Sequence, residues 1–357
     1  MSRVIHRPRS RPRGRTFLAV LGLAVALLAV PAAAAAAKAA AAPFGALFGL
    51  STSTDGSLLV ADASQGIVAI RGGQRTLFAS LPGVTDVAAV GNGNVFAITG
   101  GGPPGTGAAS LYRVSQGRAQ LVADLGAFEA AVNPDPAEVD SNPFGLTVLN
   151  GGGVLVADAG GNSVIYADVT GAIDWIATLP TELGSTANLK ALFGCPAGPP
   201  DFCLMPDMIP TEAVATDVVI GPDGAAYVSE LKGFPAPAGE SRVWRIAPGS
   251  RHVECGTSDA CQVVADGFTS IVDLNFGPDG TLYVTELDEG SWAAVEILGT
   301  GAGGTINACE WGSFPLDCQA IATDLPIPMS TTIDKDGTLW TTILSLVPGE
   351  ANVIAID

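Results

Sequence analysis

One motif recurs six times along this chain: a glycine turn, then a short apolar run, often closed by a polar or acidic residue. It reads DGSLLVAD at 55–62, GNVFAIT at 93–99, GGVLVAD at 152–158, DGAAYVSE at 223–230, DGTLYVTE at 279–286 and DGTLWTT at 336–342. The glycines that open the runs are Gly56, Gly93, Gly153, Gly224, Gly280 and Gly337. D-G and G-P-D-G are turn chemistry, because glycine reaches positive φ and proline presets its own. The runs that follow are rich in Val, Leu, Tyr and Ile, the residues of strands.

Further strands fall around each run. In the fourth unit ATDVVIG (215–221), AAYVSEL (225–231), SRVWRIA (241–247) and CQVVADG (261–267) read as four strands in order. The second unit gives VTDVAAV, NVFAIT, SLYRVS and AQLVADL, and the third GLTVL, VLVAD, SVIYADV and DWIATL. The fifth gives IVDLNF, TLYVTEL, AAVEIL and CQAIATDL. No helical period persists long enough to compete. Four short strands repeated six times predict an all-β fold: a six-bladed β-propeller with four-stranded antiparallel blades and a closed ring over 43–357. One blade cannot shield both its apolar faces, so each needs a neighbour on either side. The last unit supplies only STTID, TLWTTIL and ANVIAID. The segment near Ala39 to Ala46 is therefore expected beside the C-terminal strand.

Residues 1–42 read as a signal peptide. An Arg-rich stretch precedes the apolar run Phe17 to Val30, then come Pro31 and alanines that supply A-x-A cleavage sites. The alternative is an uncleaved anchor. Seven of the 17 basic residues and none of the 35 acidic ones lie in this segment. The remainder carries ten basic residues against 35 acidic, a net of −25. Such a body repels phosphate backbones and anionic lipid. A nucleic-acid partner is not expected, and neither is a membrane span after cleavage. A small molecule, a cation or an extracytoplasmic protein is, with the chain itself a monomer in a secreted or cell-envelope setting.

Six cysteines form three close pairs: Cys195 with Cys203, Cys255 with Cys261, and Cys309 with Cys318. In an exported chain this reads as three disulfides that pin turns. Zinc is the rival reading, but no pair has C-x₂-C spacing and His252 is the one histidine after the signal. Two connections are too long for turns, 125–143 and 180–214. Long loops of this kind tend to carry function, and both are expected over one face of the ring.

NPFGL at 142–146, LVADAGGNSV at 155–164, FEAAVNPDPAEVDSNPFG at 128–145 and above all GPDGAAYVSELKGFPAPAGESRVWRI at 221–246 resemble the ScyD/ScyE family of exported propeller proteins. The likeness covers nearly all of the chain after the signal. It implies an extracytoplasmic, NHL-like six-bladed propeller. It implies no reaction, because the family has no established chemistry.

The residues themselves offer little catalysis. There is no G-x-S-x-G, H-E-x-x-H, P-loop or dinucleotide fingerprint. Carboxylates are the abundant reactive type. Asp86, Asp217 and Asp273 stand seven residues before their turn glycines, with Gly49 and Ser330 at the matching places of the first and sixth units. In the third unit the register is shifted by one and Asn142 lies upstream. A ring of such oxygens in the channel would suit Ca²⁺. The competing reading is that these carboxylates cap backbone N–H groups.

A second acidic set ends the second strands: Asp62, Asp158, Glu230 and Glu286. Asx-type turns explain the two aspartates. The two glutamates could instead share a ligand-binding face with Glu129, Asp135 and Asp140. Gluconolactonase-like propellers hold a divalent metal with Glu, Asn and Asp, the last two placed eight residues before the turn glycine. Thr85, Thr216 and Val272 stand there, so those ligands do not carry over. The expectation is thus a binding or scaffold propeller, with a metal-dependent hydrolase or a structural envelope protein as alternatives. Trp311, between two cysteines, is the best candidate for an exposed aromatic platform, against packing in a turn.

Overall fold

The computed structural model describes residues 41–356 apart from Asn92 and Ser313. The segment expected to be a signal peptide thus lies outside the described residues, all but its last two positions. No helix among those described is long and apolar enough to cross a membrane.

The chain is a six-bladed β-propeller. Blades 1, 2, 4 and 5 are four-stranded antiparallel sheets built in sequence order from the channel outward. Their innermost strands are Leu47–Thr52, Val84–Gly91, Ala213–Ile220 and Ile271–Phe276. Blade 3 starts at Pro143–Val148 and adds a fifth strand: Val253–Glu254, from a loop of blade 4, lies parallel to its outer strand Ile173–Thr178. The disulfide Cys255–Cys261 pins that loop, and the Cys255 N–H donates to Thr178 O. An exposed sheet edge is thereby covered. Blade 6 has three strands, Thr331–Ile333, Leu339–Ile343 and Asn352–Ile356.

The second strands of blades 1, 3 and 4, Leu58–Asp62, Val154–Asp158 and Ala226–Lys232, are buried along their whole length. Apolar side chains from neighbouring blades meet in separate clusters, such as Leu59, Ile67, Val84 and Val95 between blades 1 and 2. This is why one blade alone would not persist. The D-G turns work as the sequence implies. At 221–225 the Asp223 carboxylate accepts the Ala225 N–H, and Gly224 sits at φ 75°.

Four expectations change. In blade 5, AAVEIL is not a strand: Trp292–Glu296 is a short helix, and the third strand is Gly304–Glu310. Trp292, Ala293 and Ala294 are buried there, and the Trp292 indole N–H donates to Lys232 O at 2.9 Å. That packing overrides a pattern too short to separate helix from strand. The 125–143 connection opens with a helix, Leu125–Val132, N-capped by Asp124, whose side chain accepts the Ala127 N–H. The turn glycine of blade 3 is Gly152 rather than Gly153. Gly152 has φ 92° and its N–H returns to Leu149 O, as Gly224 returns to Gly221 O.

The fourth change concerns closure. Residues 41–46 add no fourth strand to blade 6 among the described residues. The ring closes through the innermost strands instead. Leu50 N–H donates to Ser330 Oγ, and Thr52 Oγ1 donates to Ile333 O. The Phe44 carbonyl accepts the Gly349 N–H, just ahead of the last strand.

Candidate functional site

With Gly152 as the turn of blade 3, the same place is reached seven residues upstream in every blade: Gly49, Asp86, Gly145, Asp217, Asp273 and Ser330. One residue further along each innermost strand is a backbone N–H facing the channel. Asp86 accepts Val87 N–H at 2.7 Å and Leu146 N–H at 2.8 Å. Asp217 accepts Val218 N–H at 2.7 Å and Leu274 N–H at 2.9 Å. Asp273 accepts the Ser330 hydroxyl at 2.7 Å and Thr331 N–H at 2.9 Å. Ser330 accepts the Leu50 N–H at 3.0 Å. Four side chains thus satisfy six N–H groups and stitch blades 2 to 3, 4 to 5, 5 to 6, and 6 to 1.

Every oxygen of the three channel carboxylates has a donor, so capping accounts for the ring in full. Among the described residues no three His, Cys, Asp or Glu side chains converge to hold a metal ion. Burial raises all three carboxyl pKa values: Asp217 to about 7, and Asp86 and Asp273 well above the usual range, with the nearby Asp217 charge a further cause. Asn142 stands off this ring. Its N–H donates to Asp158 Oδ1 and its Oδ1 accepts the Gly101 N–H.

The channel is narrow beside the ring. Phe48, Thr85, Phe144, Thr216, Val272 and Met329 form the next layer, and the space between them and the ring is about 10 Å³, the threshold for one water. Phe48 and Phe144 meet edge to face at 5.8 Å. Thr85 and Thr216 donate their hydroxyls to Pro143 O and Ile271 O. Above this plug sits the long insertion, a hairpin of Glu182–Ser185 and Met208–Thr211 with helices Ala187–Leu192 and Pro200–Cys203 between. Its disulfide Cys195–Cys203 and stacked Phe193 and Phe202 hold it together. Leu189 and Leu192 pack in one cluster with Phe48, Phe144, Trp292 and Met329. The insertion is therefore a lid on the channel mouth.

The second acidic set is also fastened. Asp62 takes Gly45 N–H, and Asp158 takes Asn142, Gly160 and Gly161 N–H groups with the Ser141 hydroxyl. Glu286 accepts Thr269 N–H and, at 2.7 Å, the Asn307 amide; burial lifts its carboxyl to about 7. Glu230 is fully buried and paired with Lys232 and Arg242, with the Trp244 indole N–H on Oε2. Neither glutamate faces an opening.

Glu129 and Asp135 do come together, at the end of the helix Leu125–Val132 and against the Asp158–Ser163 turn. Desolvation, with the Asp158, Asp135 and Asp140 charges, raises the Glu129 carboxyl to about 8. Burial also raises Asp135, which accepts the Asn162 amide at 2.8 Å. Asn133, Asn162 and Ser163 join them. The sequence signal for these three was weak, since Asn and Ser are ordinary turn residues.

All three cysteine pairs are disulfides, consistent with an oxidising, extracytoplasmic compartment. His252 lies in an exposed turn, bonded to Asp174 and stacked on Trp175. Trp311 packs against Tyr227 and Phe276 and lines a surface cavity of about 370 Å³ with Pro222 and Pro278.

No family model matches the chain, and no curated protein does. Among solved structures it is similar to virginiamycin B lyase from Staphylococcus aureus (15% identity, 87% of this chain and 85% of that one, TM-score 0.50). A putative oxidoreductase (glucose dehydrogenase) from Thermus thermophilus is 15% identical over 87% of this chain and 96% of that one, with TM-score 0.51. A Bacteroides thetaiotaomicron protein of unknown function is 12% identical over 85% and 68%, with TM-score 0.54. At these identities the likeness is one of fold.

Proposed function

We propose that this chain is an exported binding or scaffold propeller of the ScyD/ScyE type, which recognises its partner through the face built by the 182–211 insertion. The narrow, lidded channel carries this reading. The place where an open propeller would admit a substrate is filled by Phe48, Phe144 and Met329 and covered by a disulfide-pinned lid. Each oxygen of the channel carboxylates already accepts a backbone N–H or the Ser330 hydroxyl.

The lid in turn presents apolar surface. Leu183, Leu204 and Met208 are 62%, 83% and 47% exposed. Grouped exposed hydrophobics on an otherwise strongly acidic body are the mark of a contact surface. The partner is a neutral or cationic molecule outside the cytoplasm, given the net charge of −25 after the signal. The sequence likeness at 128–145 and 221–246 supports the same setting.

The test has two arms. The wild type is expected to turn over neither lactones nor phosphotriesters above background, with or without calcium. A variant carrying Leu183→Ser, Leu204→Ser and Met208→Ser is expected to keep its melting temperature and lose the adduct that the wild type forms on crosslinking in the producing cell's envelope fraction. Turnover that EDTA and Asp217→Asn both abolish would overturn the reading.

A further inference from the structure

The helix Leu125–Val132 and the loop after it hold a set of buried oxygens that the fold does not use. Glu129 is 1% exposed, yet neither of its carboxylate oxygens has a hydrogen-bond partner among the described residues. The same holds for Oδ1 of Asn133, Asp135 and Asn162, and for Oγ of Ser163. This contrasts with the channel ring and with Asp158, where every carboxylate oxygen is matched by a donor.

Two of these oxygens flank one glycine. Glu129 Oε2 and Ser163 Oγ lie 3.1 Å and 3.4 Å from the point that a Cβ on Gly161 would occupy, so the glycine lets the turn approach the carboxylate. The Asn162 amide nitrogen is spent on Asp135 Oδ2 at 2.8 Å, which leaves Oδ1 of each residue unused. Asn133 ends the helix in the left-handed region. Its N–H is held by Glu129 O and its amide nitrogen by Ala137 O, and again Oδ1 remains. The leftover atoms are six, all oxygen, and two belong to a carboxylate that burial alone would make costly.

We propose that Glu129, Asn133, Asp135, Asn162 and Ser163 form a calcium site that fastens the 125–143 connection onto the Asp158–Ser163 turn of blade 3. Calcium takes six to eight oxygen ligands and tolerates mixed carboxylate, amide and hydroxyl donors in irregular geometry, whereas magnesium demands a near-ideal octahedron and keeps its waters. Nitrogen and sulfur ligands, which would favour a transition metal, are missing from the set. Two carboxylates balance the ion's charge. The Asp140 and Asp158 charges act on Glu129, and Glu138 and Asp140 act with Asp135 on Glu212, so the surrounding field also favours a cation. The site is independent of the binding reading above: it would stand if the lid had no partner.

Calcium titration of the EDTA-stripped mature protein tests it, by calorimetry and by thermal melting. One calcium per chain is expected, with a rise in Tm of about 2–5 °C at millimolar calcium and a smaller response to magnesium. Glu129→Gln and Asp135→Asn are expected to abolish both. In EDTA Glu129→Gln should melt at or above the wild type, because a neutral amide replaces a buried carboxyl whose oxygens have no hydrogen-bond partner; in calcium it should melt below. A residue with only a packing role would not reverse order in this way. Ser163→Ala, a near-isosteric change, is expected to fold normally and weaken calcium binding, which keeps the site testable if the other variants do not fold. Asp217→Asn, in the channel, should keep the calcium response. Absence of binding to the stripped wild type, or binding that survives Glu129→Gln, Asp135→Asn and Ser163→Ala, would mean that the oxygens hold water alone and would overturn the site.

Discussion

The carboxylate of Asp86 occupies the space that a side chain at Gly49 would need: a Cβ there would lie 1.9 Å from Asp86 Oδ1 and 2.7 Å from its Cα. Gly145 and Asp217 stand in the same relation, at 2.2 Å and 2.7 Å. Across blades 1 to 4, glycine and acceptor therefore alternate as pairs, and each pair joins two blades.

Gly49→Ala is accordingly expected to displace Asp86 and strip Val87 and Leu146 of their acceptor. Overpacking and two unmatched buried N–H groups together should cost about 2–4 kcal/mol. The measurement is the denaturant midpoint at unchanged m value. In the Asp86→Ala background the same substitution should cost less than it does alone, because the two residues share one space.

Much of this ring could be read from the sequence, and the part that could not has a local cause. Asp86, Asp217, Asp273, Gly49 and Ser330 are found by counting seven back from a D-G or N-G turn. Gly145 was missed because blade 3 has three successive glycines, and only the backbone, through the Gly152 N–H that returns to Leu149 O, distinguishes Gly152 as the turn. The short helix at Trp292–Glu296 was missed because five residues carry no period. What Glu230 and Glu286 do depends on partners far along the chain, such as Arg242 and Asn307, which no spacing rule connects to them.

Stability should fall as pH rises from about 4 to 7. Burial lifts the Asp217 carboxyl from 3.8 to about 7 and the Glu286 and Glu296 carboxyls from 4.5 to about 7, and it holds Asp86 and Asp273 well above 3.8. A carboxyl that binds its proton more tightly when folded contributes its full stability below the unfolded value and loses it as pH climbs through the folded one. Each such group adds a slope of up to about 1.4 kcal/mol per pH unit in that window. Groups lowered by partners, such as Asp174 and Glu182, act in the opposite sense but only below about pH 4.5. Thermal melts in EDTA should therefore give a higher Tm at pH 5 than at pH 8, with a shallower profile for Asp217→Asn. A flat or rising profile between pH 5 and 7 would contradict the assignment.

Lys232→Met is expected to be severely destabilising. Lys232 is buried and pairs with the fully buried Glu230 and, at 2.7 Å, with Glu182 of the lid hairpin. Removing the ammonium leaves Glu230 with the Arg242 guanidinium at 3.5 Å and the Trp244 indole N–H. Breaking one side of a buried ion pair costs about 3–5 kcal/mol. Because Glu182 also loses one of its two cationic partners and keeps only Arg242, at 2.8 Å, limited proteolysis should cut first within 182–211, before the blades open. Protection of that segment equal to wild type would show that the lid does not depend on this pair.

Among the described residues the last blade has three strands, so its attachment to blade 1 bears on the whole ring. Phe44 is 2% exposed in a cluster with Leu47, Leu58 and Ala351, against which Trp340 and Val353 pack, and the Arg75 guanidinium lies 4.5 Å over its ring. Its carbonyl accepts Gly349 N–H at 2.8 Å, and Leu47 N–H donates to Ser345 O at 2.8 Å. Phe44→Ala should thus cost about 3–5 kcal/mol through cavity and lost burial, read as one cooperative transition moved to lower temperature. Deleting 350–357 should cost more, since it removes the strand Asn352–Ile356 from its pairing with Leu339–Ile343 and bares the same cluster. Each blade shields its neighbours, so both changes should destabilise distant blades equally, and hydrogen exchange in the second strands of blades 3 and 4 reports on that. If exchange there were unchanged in the Phe44→Ala protein, the joint between blades 6 and 1 would not be what holds the ring closed.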